Sequence, residues 1–125
     1  FADPDWLYGG EMILPAQTQA VEHGYDMGFP ANLQFHTAAL HMHTLGQTAR
    51  LSIQHADGSE TCLLDIDRWD FNWQRAYQFV EAQSITPGDQ LSLRCSWDNP
   101  TDLDIDWGDG TDDEMCLGVM LMSFE

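Results

Sequence analysis

Apolar residues along the chain either alternate with polar ones or gather in short runs between turn signals, and a helical period is almost absent. Leu33, Phe35, Thr37, Ala39, His41 and His43 fall on one parity of an extended segment. Leu51 and Ile53 share one face of a segment from Thr48 to Gln54, and Leu45-Gly46-Gln47 reads as the turn between the two. Asp57-Gly58, flanked by Ser52-Ile53-Gln54 and Thr61-Cys62-Leu63-Leu64, is the clearest hairpin signal in the chain. Pro87-Gly88-Asp89 separates a strand from Tyr77 to Ala82 from an alternating strand from Gln90 to Trp97, which Asn99-Pro100 ends. A last strand runs from Cys116 to Phe124. Turn signals at intervals of roughly 8 to 12 residues predict an all-β, antiparallel β-sandwich of jelly-roll type in preference to an α/β fold. With no internal repeat, linker or low-complexity tract, residues 1–125 read as a single domain: 1–32 as N-terminal strands or an extension, 33–125 as the core.

Charge narrows the partners. Twenty-one Asp and Glu stand against four cations, Arg50, Arg68, Arg75 and Arg94, for a formal charge of −17. Four scattered arginines form no basic stripe, so the pattern excludes a nucleic-acid backbone binder and an anionic membrane surface. No apolar run approaches the roughly 20 residues of a membrane-spanning helix. Hydrophobic residues at 43% and aromatic ones at 11% place the chain among folded proteins. It starts Phe1-Ala2-Asp3-Pro4 without an initiator Met, which reads as a mature or excised piece of something longer. Three cysteines, Cys62, Cys95 and Cys116, allow one disulfide and one free thiol, or none.

Two segments have candidate chemistry. In Leu40-His41-Met42-His43 the imidazoles are two residues apart, so on a strand both project from one face while Met42 turns away. That is half of a copper or zinc site, and it needs a third ligand. Asp102 to Glu114 holds a run of carboxylates that resembles a calcium loop only in part. Asp102, Asp104 and Asp106 occupy its first, third and fifth positions, but Trp107 stands where the turn needs Gly and Asp113 where it needs Glu. Calcium binding to a β-sandwich is therefore the alternative, and a solvated acidic loop is the ordinary reading.

Taken together, His41-Met42-His43-Thr44-Leu45-Gly46 and, about seventy residues later, Trp107-Gly108-Asp109-Gly110-Thr111-Asp112-Asp113-Glu114-Met115-Cys116 resemble the C-terminal domain of the copper type II, ascorbate-dependent monooxygenases. The intervening Leu63-Leu64-Asp65-Ile66-Asp67-Arg68-Trp69-Asp70-Phe71-Asn72-Trp73-Gln74-Arg75-Ala76-Tyr77 is similar to bacterial members of that family, and the resemblance runs from about Leu33 to Leu121. It implies one copper ion, cycling between Cu(I) and Cu(II), held by His41, His43 and Met115, with no further catalytic base. It implies a disulfide between Cys95 and Cys116, and hence an exported protein, periplasmic or extracellular. Cys62 is then left over and is expected to be a buried thiol. Trp69, Phe71, Trp73 and Tyr77 are expected to serve core and sheet-edge packing.

The activity implied is activation of dioxygen for hydroxylation of a C–H bond in a small-molecule substrate. Peptide-amidating members of the family hold a substrate carboxylate with an Arg and a Tyr where this chain has Ala39 and Val119, so a peptidylglycine substrate is not expected. Electrons would come from another domain or protein, since 125 residues leave no room for the second copper domain of the family hydroxylases. A non-catalytic copper-binding or electron-transfer module of the same fold is the nearest alternative.

Overall fold

A computed structural model describes residues 1–8 and 10–125. A single helical turn, α1 (Pro4–Tyr8), precedes the strands β1 (Thr18–Gly28), β2 (Leu33–His41), β3 (Gly46–Gln54), β4 (Glu60–Ile66), β5 (Ala76–Ile85), β6 (Gln90–Asn99) and β7 (Leu117–Phe124). They form two antiparallel sheets, one in the order β1-β6-β3-β4 and the other β5-β2-β7. The fold is therefore the all-β sandwich that the alternation predicts.

The core is the inner face of each sheet. Leu33, Phe35, Ala38 and Leu40 of β2 meet Leu51 and Ile53 of β3 and Leu91, Leu93 and Trp97 of β6, all buried. Each such side chain contributes about 1.5–3 kcal/mol through removal from water. Cys95 of β6 is bonded to Cys116, just ahead of β7, so the disulfide joins one sheet to the other.

The hairpin at Asp57-Gly58 forms as its turn chemistry dictates. Gly58 takes a φ of +88° and donates its amide to the His55 carbonyl, while the Asp57 carboxylate accepts both the amide and the hydroxyl of Ser59. Trp6, brought in by α1, closes one side of the core against Trp107 at 6.2 Å between ring centroids.

Two expectations are corrected. The parity of residues 33–43 suggests a strand through His43, but β2 ends at His41 and the turn lies at Thr44-Leu45. The reason is Glu114: its buried carboxylate accepts the backbone amides of His43 and Leu45, drawing them off the sheet ladder. Cys62, expected to be buried, is exposed on β4, because β4 is an edge strand and the thiol lies on the side away from the core residue Leu63.

Candidate metal centre

The candidate ligands gather at one end of the sandwich. His41 closes β2 and His43 follows it on the turn, and their rings approach edge to face with centroids 5.1 Å apart. Met42, between them, is fully buried in the core. The alternation that sends Met42 inward sends both imidazoles to the opposite side.

Each imidazole is held by one nitrogen. Nδ1 of His41 lies 2.6 Å from Oε1 of Gln74, and Nδ1 of His43 lies 2.8 Å from the Asp113 carbonyl. Both partners only accept, so Nδ1 carries the proton in each ring and the Nε2 lone pair is left unprotonated. This is the tautomer that a metal-binding histidine needs, fixed by an outer hydrogen bond.

Met115 reaches the same end through β7. The β2–β7 ladder ends with His41 paired to Leu117, and Met115, two residues ahead of β7, shares an oxygen of the Glu114 carboxylate with His43 through its backbone amide. Glu114, beside it, is completely buried, and its carboxylate accepts the amides of His43, Leu45 and Met115 and the indole N–H of Trp97. A single carboxylate thus ties the histidine turn, β6 and the methionine segment together. Hydrogen bonds to a charged acceptor are worth about 1.5–3 kcal/mol each, which makes this the strongest polar anchor of the site.

Gly46, next in the histidine motif, answers to packing. A Cβ there would come within 2.8 Å of both the Met42 methyl and the Trp69 ring, so the chain can pass only as glycine.

The loop between β4 and β5 covers the histidines from the other side. Trp69 donates its indole N–H to the His43 carbonyl at 2.9 Å, Phe71 meets the His43 ring edge to face at 6.2 Å, and Gln74 holds His41. The aromatic stretch is therefore not core packing throughout, as its sequence suggests. Trp73 and Tyr77 are exposed at 65% and 40%, and with Trp69 and Phe71 they line a cleft of about 730 Å³ that reaches Thr44, the neighbour of His43. Three aspartates, Asp65, Asp67 and Asp70, share that cleft with Arg68. Gln74 has no role assigned from sequence, and the signal that could have found it is its place inside the Leu63–Tyr77 stretch that resembles the family.

The acidic loop does other work. Asp104 accepts the Ala16 amide, Asp102 the Gln17 side-chain amide, Asp106 the Trp107 amide and Asp113 the Gly110 amide. Among the described residues no group of three or more His, Cys, Asp and Glu side chains converges as a metal site, so the acidic loop gives the calcium alternative no support.

Fold, motif order and site agree with a single class, and a family model described as "Copper type II ascorbate-dependent monooxygenase, C-terminal domain" matches residues 8–123. The chain belongs to that family of copper monooxygenases. It is 31% identical over 105 residues to the human protein named "DBH-like monooxygenase protein 1", an overlap covering 82% of this chain and 17% of the human protein. To the mouse protein of the same name it is 34% identical over 94 residues, which is 74% of this chain and 15% of that one. The chain thus spans about a sixth of the length of these relatives.

Proposed function

We propose that His41, His43 and Met115 hold one copper ion and that the chain is the single copper domain, of jelly-roll type, in which a larger monooxygenase activates dioxygen for C–H hydroxylation. The observation that carries this reading is the paired use of Nδ1. Gln74 and the Asp113 carbonyl occupy one nitrogen of each ring and leave both Nε2 atoms free at one end of the sandwich, where the Met115 amide shares the Glu114 carboxylate with that of His43. Two imidazoles and a thioether suit copper in both oxidation states, the nitrogens serving either ion and the sulfur favouring Cu(I). Copper held there would supply the one-electron and oxygen chemistry of the family.

The rest of the site shapes what comes near. Ala39 and Val119 face each other across the β2–β7 pairing beside His41, and neither offers a cation or hydroxyl to a carboxylate. The adjoining cleft is lined by Asp65, Asp67, Asp70 and Arg68, with Asp65 paired to Arg50 and Arg75 lying over Trp73, so it offers a carboxylate no net attraction. Electrons come from another domain or protein, in line with the sixth of the relatives' length that this chain spans. Its disulfide, joining the two sheets, supports an oxidising compartment, periplasmic or extracellular.

The test is copper K-edge X-ray absorption on the anaerobic, Cu(I)-loaded protein. Two nitrogens and one sulfur are expected, with the sulfur lost in Met115→Ile and Cu(II) affinity largely kept. Nitrogen-only coordination in the unaltered protein would overturn the ligand assignment.

A further inference from the structure

The two open sides of the sandwich are unlike. On one, β4 and β5 are the edges and present Glu60, Asp65 and Glu81. On the other, β1 presents Glu22 and Asp26 and is bulged between Thr18 and Val21, whereas β7 has no charge anywhere from Leu117 to Phe124. Charges and bulges are how sheets keep their edges from pairing, and β7 has neither. Its side chains are unusually bare as well: Val119, Leu121 and Phe124 are exposed at 59%, 61% and 80%.

Beside that edge runs an apolar groove. One part, of about 310 Å³, is lined by Met27, Phe29, Met120 and Met122, and the next, of about 360 Å³, continues past Phe29 and Met122 to Leu33 and Phe124. It is the gap between the inner faces of the two sheets where the second sheet stops at three strands.

Phe1 shows what fills it. The Phe1 nitrogen donates to the Gly118 carbonyl at 2.8 Å and the Gly118 amide donates to the Phe1 carbonyl at 2.8 Å. Two residues that exchange both bonds are a hydrogen-bonded pair of an antiparallel ladder, so Phe1 already occupies one rung on the outer edge of β7. Its ring lies on the inner face, 5.3 Å from that of Tyr25.

We propose that the free edge of β7 accepts an extended strand joined to the amino side of Phe1, in the antiparallel register that the Phe1–Gly118 pair sets, completing the second sheet to four strands. In that register the second, fourth and sixth residues ahead of Phe1 oppose Met120, Met122 and Phe124, whose amides point outward with that of Gly118. Cross-strand partners share a face, so the second and fourth side chains enter the groove and should be apolar. The matched segments are 17% and 15% of the relatives' own lengths, so those proteins have chain beyond this domain. A second copy of this chain is a poorer occupant, because Phe1 already holds the first rung and each copy has a charge of −17. The result would be two four-stranded sheets, the strand count of a jelly roll.

Amide hydrogen exchange tests this on the full chain with three different six-residue extensions ahead of Phe1. One has Val at the second, fourth and sixth positions and Thr between, one has the same residues shifted by one position, and one is Gly and Ser alone. Exchange at Met120, Met122 and Phe124 should slow by more than about tenfold with the in-phase extension and stay within about twofold with the Gly-Ser one. The shifted extension should fall well short of the in-phase one. No slowing in phase, or equal slowing in both phases, would overturn the proposal. Protection in the unextended chain that grows with protein concentration would assign the edge to a second copy and overturn it as well.

Discussion

At the residue scale the candidate site depends on which nitrogen of each imidazole is engaged, and Gln74 decides this for His41. Oε1 of Gln74 can only accept, so it holds Nδ1–H and turns Nε2 outward. Gln74→Leu removes that acceptor and frees the ring to rotate and to exchange tautomers. We expect copper affinity to fall by about 10- to 100-fold, the usual cost of losing an outer partner of a metal-binding histidine, while the melting temperature stays within a few degrees. Competition with a chromophoric chelator measures the first and calorimetry the second. Unchanged affinity would mean that Gln74 does not orient His41. As candidate ligands, the histidines are proposed by His-x-His spacing and Met115 only by family resemblance. Glu114 and Gln74 are not legible in the sequence, because their importance lies in backbone amides and a ring nitrogen on distant segments. A carboxylate in a run of carboxylates gives no sign that it alone is buried, and it is the return of the Asp113-Glu114 segment to the histidine turn that buries it.

At the scale of elements, alternation and turn chemistry predicted most of the strands, and they faltered where side chains compete with the ladder. β2 reads as continuing through His43, yet Glu114 captures the amides that would have extended it. Trp73 and Tyr77 read as packing because aromatic residues usually pack, but the β4–β5 loop bends over the histidines and leaves them facing the cleft. Another carboxylate joins two turns in the same manner. Asp89 accepts the amide and hydroxyl of Thr86 in its own turn and the amide of Ala56 in the β3–β4 hairpin, with His55 Nδ1 at 3.4 Å. The Thr86 amide above all, then that of Ala56, holds its carboxyl down from the ordinary 3.8 to about 2. A group whose folded pKa lies below its unfolded one stabilises the fold above the unfolded value and stops doing so as pH falls through the folded value. The contribution of Asp89 is thus complete above about pH 4 and lost toward pH 2. Asp89→Asn should lower the urea midpoint at pH 6 and flatten its decline between pH 4 and 2. A mutant that declines as steeply as the parent over that window would show that Asp89 is not the group responsible.

For the whole molecule, the same excess of carboxylates that hides Glu114 in the sequence governs stability. Arg50 is paired with Glu60 and Asp65, Arg94 with Asp26, and Arg75 lies over the Trp73 ring at 4.6 Å, so the few cations are largely committed. Most of the 21 acidic side chains have no cationic partner and repel one another across the surface. The exposed ion pairs return little, at about 0–1 kcal/mol each, and salt weakens attraction and repulsion alike. Because repulsive pairs greatly outnumber attractive ones, screening should help the folded state. Raising sodium chloride from about 20 mM to 0.5 M shortens the Debye length from roughly 20 Å to below 5 Å. We expect the melting temperature to rise by several degrees, equivalent to about 1–2 kcal/mol for a domain of this size. Chloride serves better than sulfate here, since it separates charge screening from the strengthening of hydrophobic burial that sulfate brings. A melting temperature that fell with salt would mean that the arginine pairs outweigh the surrounding repulsion, and the acidic surface would then be a stabilising network instead of a tolerated load.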